Sequence, residues 1–262
     1  MSMYIGVSGI KAATTDLNTT SHNIANASTT GFKNSRAEFG DLVDNNGAKN
    51  AGIGVKTQAV NQLFQQGGVI TTGNALDLAI VGNGFFQVKD VTEGESTDPP
   101  FYTRAGSFHV DKDGFIVNNL GQRLQGTGGD LGFDAAELPV TNITIDKDGN
   151  VNATGASGAS LTANGGPLGL ADFPNVQGLK KVSDTTWLET PESGEMNVNN
   201  GGVLVAPGTS NIGKVMSGAL EASNVDLTDQ LVNMIIAQRN FQANAQTITT
   251  NNTLTQTIIN IR

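Results

Sequence analysis

The stretch "LVNMIIAQRNFQANAQTI", Leu231 to Ile248, decides how this chain is read. From Leu227 the apolar residues fall at Leu231, Met234, Ile235, Phe241, Ala245, Ile248, Leu254, Ile258, Ile259 and Ile261, steps that mark one face of a helix. Asp226 stands where an N-cap belongs, with Asp229 three residues on. Gln238, Asn252 and Thr255 interrupt the heptad seam, and such polar residues weaken a helix pair while favouring one register and one partner. The pattern predicts a long C-terminal helix with a preferred partner.

The other end repeats the arrangement. Met3, Gly6, Ile10, Ala13, Leu17, Thr20, Ile24 and Ala27 form a second heptad seam, thinner because its members are small or polar. Little apolar area is buried per turn, so this helix is marginal without company. Gly31, after Thr29 and Thr30, is a plausible stop, although the break can also fall a few residues earlier. From pattern alone, the two helices either dock on the rest of their own chain or pack against other molecules.

Between the ends the period changes from helical to alternating. "LDLAIVGNGFFQV" alternates and then runs apolar, while "FYTRAGSFHVDKDGFIVN" and "ITIDKDGNVNA" each place Asp-Gly between strand-like runs, a hairpin signature. "LGLADF", "TWLET" and "GGVLV" are further short strands, and "ATGASGASLTANGGP" reads as a loop or long turn. Residues 34–67 hold a small apolar cluster at Phe39, Leu42 and Val43 and then a Gly/Asn-rich run, which suits an extended linker with little structure of its own.

Composition narrows the function classes. The chain has 262 residues, 37% hydrophobic and 5% aromatic, with 33 glycines and no cysteine. Disulfides, zinc-cysteine clusters and thiol nucleophiles are excluded. A net charge of -9 argues against nucleic acid, whose phosphates need a basic surface. The acidity is confined to the middle: residues 61–214 carry 8 Lys/Arg against 17 Asp/Glu, residues 1–60 carry 5 against 4, and residues 215–262 carry 2 against 3. Nearly neutral ends can lie against copies of themselves without strong repulsion. The N-terminus has neither the basic nor the continuous apolar segment of a cleavable secretory signal.

No catalytic, cofactor or metal site emerges. The two Asp-Lys-Asp-Gly segments, 111–114 and 146–149, lack the further oxygen ligands of a calcium loop and read as turns. His22 and His109 stand alone in different segments, which suits solvent or interface roles better than a triad. "GNGFF", 82–86, has no following helix or lysine of a phosphate loop and reads as a turn or bulge. Trp187, inside a short strand, reads as core packing. A β-rich secreted binding protein is the remoter alternative, and a hydrolase would need an acid-base pair the pattern does not offer.

"VSGIKAATTDLNTTSHNIANASTTGFKNSRAEF" near the N-terminus and "GALEASNVDLTDQLVNMIIAQRNFQANAQTITTNNTLTQTIINIR", Gly218 to Arg262, closely resemble the axial proteins of the bacterial flagellum, the rod and hook family. The first carries that family's pattern at Asn23, Ile24, Ala25, Asn26, Thr29 or Thr30, Gly31, Phe32 and Lys33. The resemblance implies an α+β fold, in which residues 1–33 and 215–262 pair as a coiled-coil-like inner domain, 34–67 link, and 68–214 form a β-rich outer domain. It implies a non-enzymatic flagellar subunit without cofactor or small-molecule substrate, exported by the flagellar type III apparatus without a cleaved signal. Such a subunit polymerises with identical copies and meets neighbouring axial proteins and a cap protein. The expected assembly interface is Ile10, Leu17, Asn23, Ile24, Asn26, Leu227, Leu231, Met234, Phe241 and Ile248. Asn23, Asn26 and His22 are read as hydrogen-bonding partners for neighbouring subunits or for the connecting segment that follows. The C-terminal wording is hook-like, and Phe39-Gly40-Asp41-Leu42 is followed only by a short link where distal rod proteins carry an additional segment. A compact hook-type subunit is therefore the expectation, with the distal rod type, which the length suits, as the alternative.

Overall fold

Two four-residue turns of the same design join strands in the β region. In each, the glycine N–H donates to the first aspartate's carbonyl, Gly114 to Asp111 at 3.0 Å and Gly149 to Asp146 at 2.9 Å, and both glycines hold positive φ, 87° and 85°. Each first aspartate also accepts the next backbone N–H on its side chain at 2.7 Å. The carboxylates are thus engaged in shaping turns, and the strands they join are antiparallel.

The computed structural model describes residues 2–43, 52–90, 99–183, 185–198, 201–209 and 212–260. Ile261 and the Gly/Asn-rich link at 44–51 lie outside them. The described chain has a helix at each end, α1 (Ser2–Ala25) and α2 (Leu227–Asn260), and a mostly β middle, an α+β fold. It forms two units. One holds residues 1–27, 33–63 and 225–262, and the other holds 28–32 and 64–224.

The second unit is built on a nine-stranded antiparallel sheet. Its path runs β15 (Lys180–Ser183), β16 (Thr186–Leu188), β6 (Phe101–Thr103), β5 (Phe85–Lys89), β9 (Arg123–Gly126), β8 (Ile116–Asn118) and β7 (Phe108–Val110). Off that path, β10 (Gly129–Asp130) pairs with β9, and β14 (Leu170–Ala171) pairs with β5. A three-stranded sheet of β11 (Thr141–Ile145), β12 (Val151–Thr154) and β13 (Ser160–Thr162) holds the second Asp-Lys-Asp-Gly turn. Part of the expected loop at 153–167 is thus strand.

Alternation along β5 explains why its sequence runs apolar. Phe86 and Val88 face one core with Leu78, Ile80, Leu124 and Leu168, while Phe85 faces another with Tyr102, Phe173 and Trp187. A strand covered on both faces needs apolar residues at every step. Trp187 is 1% exposed and packs edge-on against Phe85 at 5.7 Å between centroids, so it is core. Between β4 (Leu78–Val81) and β5, Gly82 and Gly84 take φ of 109° and 126°, which makes "GNGFF" a glycine-dependent turn.

The same unit closes on residues far apart in sequence. β4 pairs with β17 (Lys214–Ser217), and β3 (Val69–Thr71) pairs with β18 (Ala219–Glu221). Residues 215–221, expected with the terminal helix, therefore belong to the β unit, and α2 begins six residues after them. At this closure Arg104 Nη1 donates to Glu221 Oε2 at 3.2 Å, both side chains buried. Arg104 Nη2 donates to the Gly82 carbonyl at 3.0 Å, and Gly67 N–H donates to the other Glu221 carboxylate oxygen at 3.0 Å. Burial pulls the Arg104 guanidinium below its ordinary pKa, and the adjacent Glu221 opposes that. The helix stop expected at Gly31 falls earlier, because α1 ends at Ala25 and Asn26 caps it through its side chain on the His22 carbonyl at 2.9 Å. Gly31 has a different task. Its φ is 68°, and a Cβ there would stand 2.5 Å from the Ala105 nitrogen.

Candidate functional site

In the first unit, α1 and α2 lie antiparallel. A Cβ on Gly6 would sit 3.0 Å from Ile248 Cγ1, and one on Gly9 would sit 2.5 Å from Asn244 Oδ1. At the other end of the pair, Asn23 Nδ2 donates to Gln230 Oε1 at 3.1 Å. Glycines stand where α1 meets the larger residues of α2, so the thin seam permits a close approach between helix axes. Gly6, Ala13 and Thr20, seven residues apart, are all buried.

The seam on α2 keeps Met234, Ala245 and Ile248 of the expected one, while Gln230, Ala237 and Asn251 stand in it where Leu231, Gln238 and Asn252 were expected. The less exposed positions are Gln230, Met234, Ala237, Asn244, Ala245, Ile248 and Asn251, whereas Gln238, Asn252 and Thr255 are exposed. A run that is apolar in consecutive turns offers two registers, and "LVNMIIA" hid which one faces α1. Asp226 is the N-cap, accepting from Thr228 N–H at 2.8 Å and Asp229 N–H at 3.3 Å.

Residues 34–67, expected as a linker, instead carry a long antiparallel pair, β1 (Ser35–Val43) with β2 (Gly52–Gln62). A register shift between Glu38 and Phe39 breaks the simple alternation, and this bulge is what disguised the strand. The pair packs on α1, with Val55 N–H donating to Ser8 Oγ at 3.2 Å.

Asn23 is the hub of this unit. It is 2% exposed, its Nδ2 donates to the Ser35 carbonyl at 2.7 Å, and its Oδ1 accepts the Ser35 N–H at 2.9 Å. Its amide thus ties α1 to both α2 and β1, which is the connecting-segment role. His22 is exposed on α1, and His109 is exposed on β7.

The unit leaves much apolar surface uncovered. Of the expected interface positions, Leu227, Leu231 and Phe241 are 49%, 52% and 42% exposed, while Ile10, Leu17, Ile24, Asn26, Met234 and Ile248 are partly covered. Val232, Ile235 and Ile236 are exposed as well, and Ala237 is the one buried residue of α2 among the described residues. A helix apolar on all sides over 231–237 fits a covered position. Each such side chain, about half exposed, forgoes about 1 kcal/mol while that half stays in water. Six α2 threonines, at 247, 249, 250, 253, 255 and 257, bond back to carbonyls of the preceding turn, which weakens a helix that must stand alone. No helix among the described residues is long and apolar enough to cross a membrane.

Comparison with known proteins gives this exposed surface a setting. Three family models match the chain: flagella basal body rod protein over residues 3–33, flagellar hook protein FlgE/F/G D1 domain over 79–153, and flagellar basal body rod FlgEFG protein C-terminal over 216–261. The flagellar basal-body rod protein FlgG of Bacillus subtilis is 34% identical, aligned over all of this chain and 98% of its own. That of Agrobacterium fabrum is 35% identical over 94% of this chain and 93% of its own. The flagellar hook protein FlgE of Salmonella typhimurium is 27% identical, and covering both chains takes 417 aligned positions. These matches support the rod alternative better than the hook-type expectation. The C-terminal wording that favoured the hook lies in a segment whose family model spans both kinds, so it does not separate them. The chain belongs to the flagellar rod and hook axial protein family and is a structural subunit of the bacterial flagellum.

Proposed function

We propose that this chain is a rod-type subunit, of the distal rod kind, which self-assembles into a hollow helical tube through its terminal helices. The observation that carries the reading is the uncovered apolar surface of α2 at Leu231, Val232, Ile235 and Ile236. The near full-length likeness to basal-body rod proteins supports rod over hook. Helical tubes grow by heterologous contacts, one patch meeting a different patch on the next copy without closing a ring. Neighbouring copies would cover the α2 faces that α1 leaves open and extend the α1–α2 pair into a coiled-coil-like inner layer, with the β unit outside. Leu227, Leu231 and Phe241 would be the principal contacts, and Asn23 would set the register inside each subunit. The role is structural, with no catalysis and no small-molecule substrate. Partners would be identical copies, adjoining axial proteins and a cap protein, reached after export through the flagellar type III apparatus.

Electron microscopy of negatively stained assemblies tests this. Straight tubes are expected; curved tubes would favour the hook-type alternative, and a monomer at every concentration would overturn self-assembly.

A further inference from the structure

The helix pair is unequal in length, and the excess has a shape. Gly9 lies beside Asn244 and Gly6 beside Ile248, so continuing the antiparallel register brings the start of α1 level with about residue 252. Residues 253–260 of α2 run on past it for about 12 Å. They are exposed throughout, with Leu254, Ile258 and Ile259 56%, 69% and 67% in solvent, and no charged residue occurs from 240 to 260.

The same unit has a groove of about 590 Å³ between α1 and the β1–β2 pair. Val7, Ile10, Leu42 and Val55 give it an apolar lining, and the exposed Lys11 and Lys56 also border it. We propose that this groove receives the C-terminal overhang of α2 from a second copy of the chain. Leu254 and Ile258, four residues apart on one helix face, present the apolar stripe such a groove needs. The last turn of α2, 257–260, carries the negative pole of its helix and no charged side chain, Arg262 following two residues later in sequence, and the two lysines complement that pole. The overhang cannot serve its own groove, because it continues away from the start of α1 as a helix and would have to break to turn back. The contact is therefore between copies and joins two different patches, so each subunit keeps one open groove and one open overhang. This rests on the self-assembly reading and supplies it with a specific head-to-tail joint.

The chain has no cysteine, so two variants, Val55→Cys and Ile258→Cys, carry one thiol each. Mixed, allowed to assemble and mildly oxidised, they are expected to give a disulfide-linked dimer of one of each variant on a non-reducing gel. Tubes that form normally while the mixture yields no mixed dimer, or only Ile258→Cys homodimers, would overturn the joint and leave self-assembly standing. Failure of the unsubstituted chain to assemble at all would overturn both. Ile258→Asp, with helix content unchanged by circular dichroism, is expected to raise the concentration needed for tubes about tenfold. An unchanged threshold would count against the joint.

Discussion

The β unit and the helical unit use apolar residues in opposite ways. In the β unit, Leu78, Ile80, Phe86, Val88, Tyr102, Leu168 and Leu170 are fully out of water, and both faces of β5 are covered by the chain's own side chains. In the helical unit, α2 presents leucine, valine and isoleucine to solvent along its first turns and again along its last. The first has met its needs within one chain. The second has a surplus, which the proposed polymer would use. A subunit so divided can be soluble as a monomer, with its acidity concentrated in the segment that forms the β unit, and still gain from each added neighbour.

The largest expected effect removes one side of the contrast. Deleting residues 231–262 should abolish tube formation, read by light scattering, while the β unit retains a cooperative unfolding transition. Normal polymerisation by that truncation would show that the helices are not the assembly element. Next is the buried pair of the β unit: Glu221→Gln leaves the Arg104 charge without its counter-ion and should cost about 3–5 kcal/mol in denaturant unfolding. Gly31→Ala, forced into a positive φ and against the Ala105 backbone, should cost the same unit at least ~2 kcal/mol. Asn23→Ala strikes the helical unit instead, removing three hydrogen bonds, and about 1–3 kcal/mol of its stability should go, seen as lost helix signal while the β unit's transition holds. The smallest effect is in acid. Burial raises the Asp16 carboxyl above its ordinary 3.8, so its contribution to stability is full below that pH and is lost as pH rises through the folded value. The helical unit should gain slightly on acidification, and Asp16→Asn should remove that part of the pH dependence.

Much of this division was legible beforehand. The change of period at either end located the helices, and Asp-Gly at 113–114 and 148–149 located two hairpins, because those signals are local. What escaped reading depended on distant partners. The β1–β2 pair looked like a linker because a bulge spoiled its alternation and a Gly/Asn-rich run lay between its strands. Arg104 and Glu221 gave no sign of each other, since only the closed fold brings them within 3.2 Å. On α2, Leu231 and Phe241 were singled out from their spacing and stand exposed, but half of the seam was placed one residue off, because a run apolar on all sides does not declare which face meets α1. Asn23 was singled out for its chemistry, and its buried bonds to Ser35 and Gln230 became visible only once the three segments stood together.

The Glu221 closure also sets an order in time. Its carboxylate bonds to Gly67 across 154 residues and to Arg104 across 117, and the strand pairs beside it join positions 69–71 and 78–81 to positions 214–221. Contacts of such long sequence separation form late, since the loop between them must first be closed. A chain passing through a narrow opening from its N-terminus could not complete the β unit until residue 221 had emerged. The contacts that join positions 67–81 to 214–221 thus leave the β unit open until its last strand is free to pair.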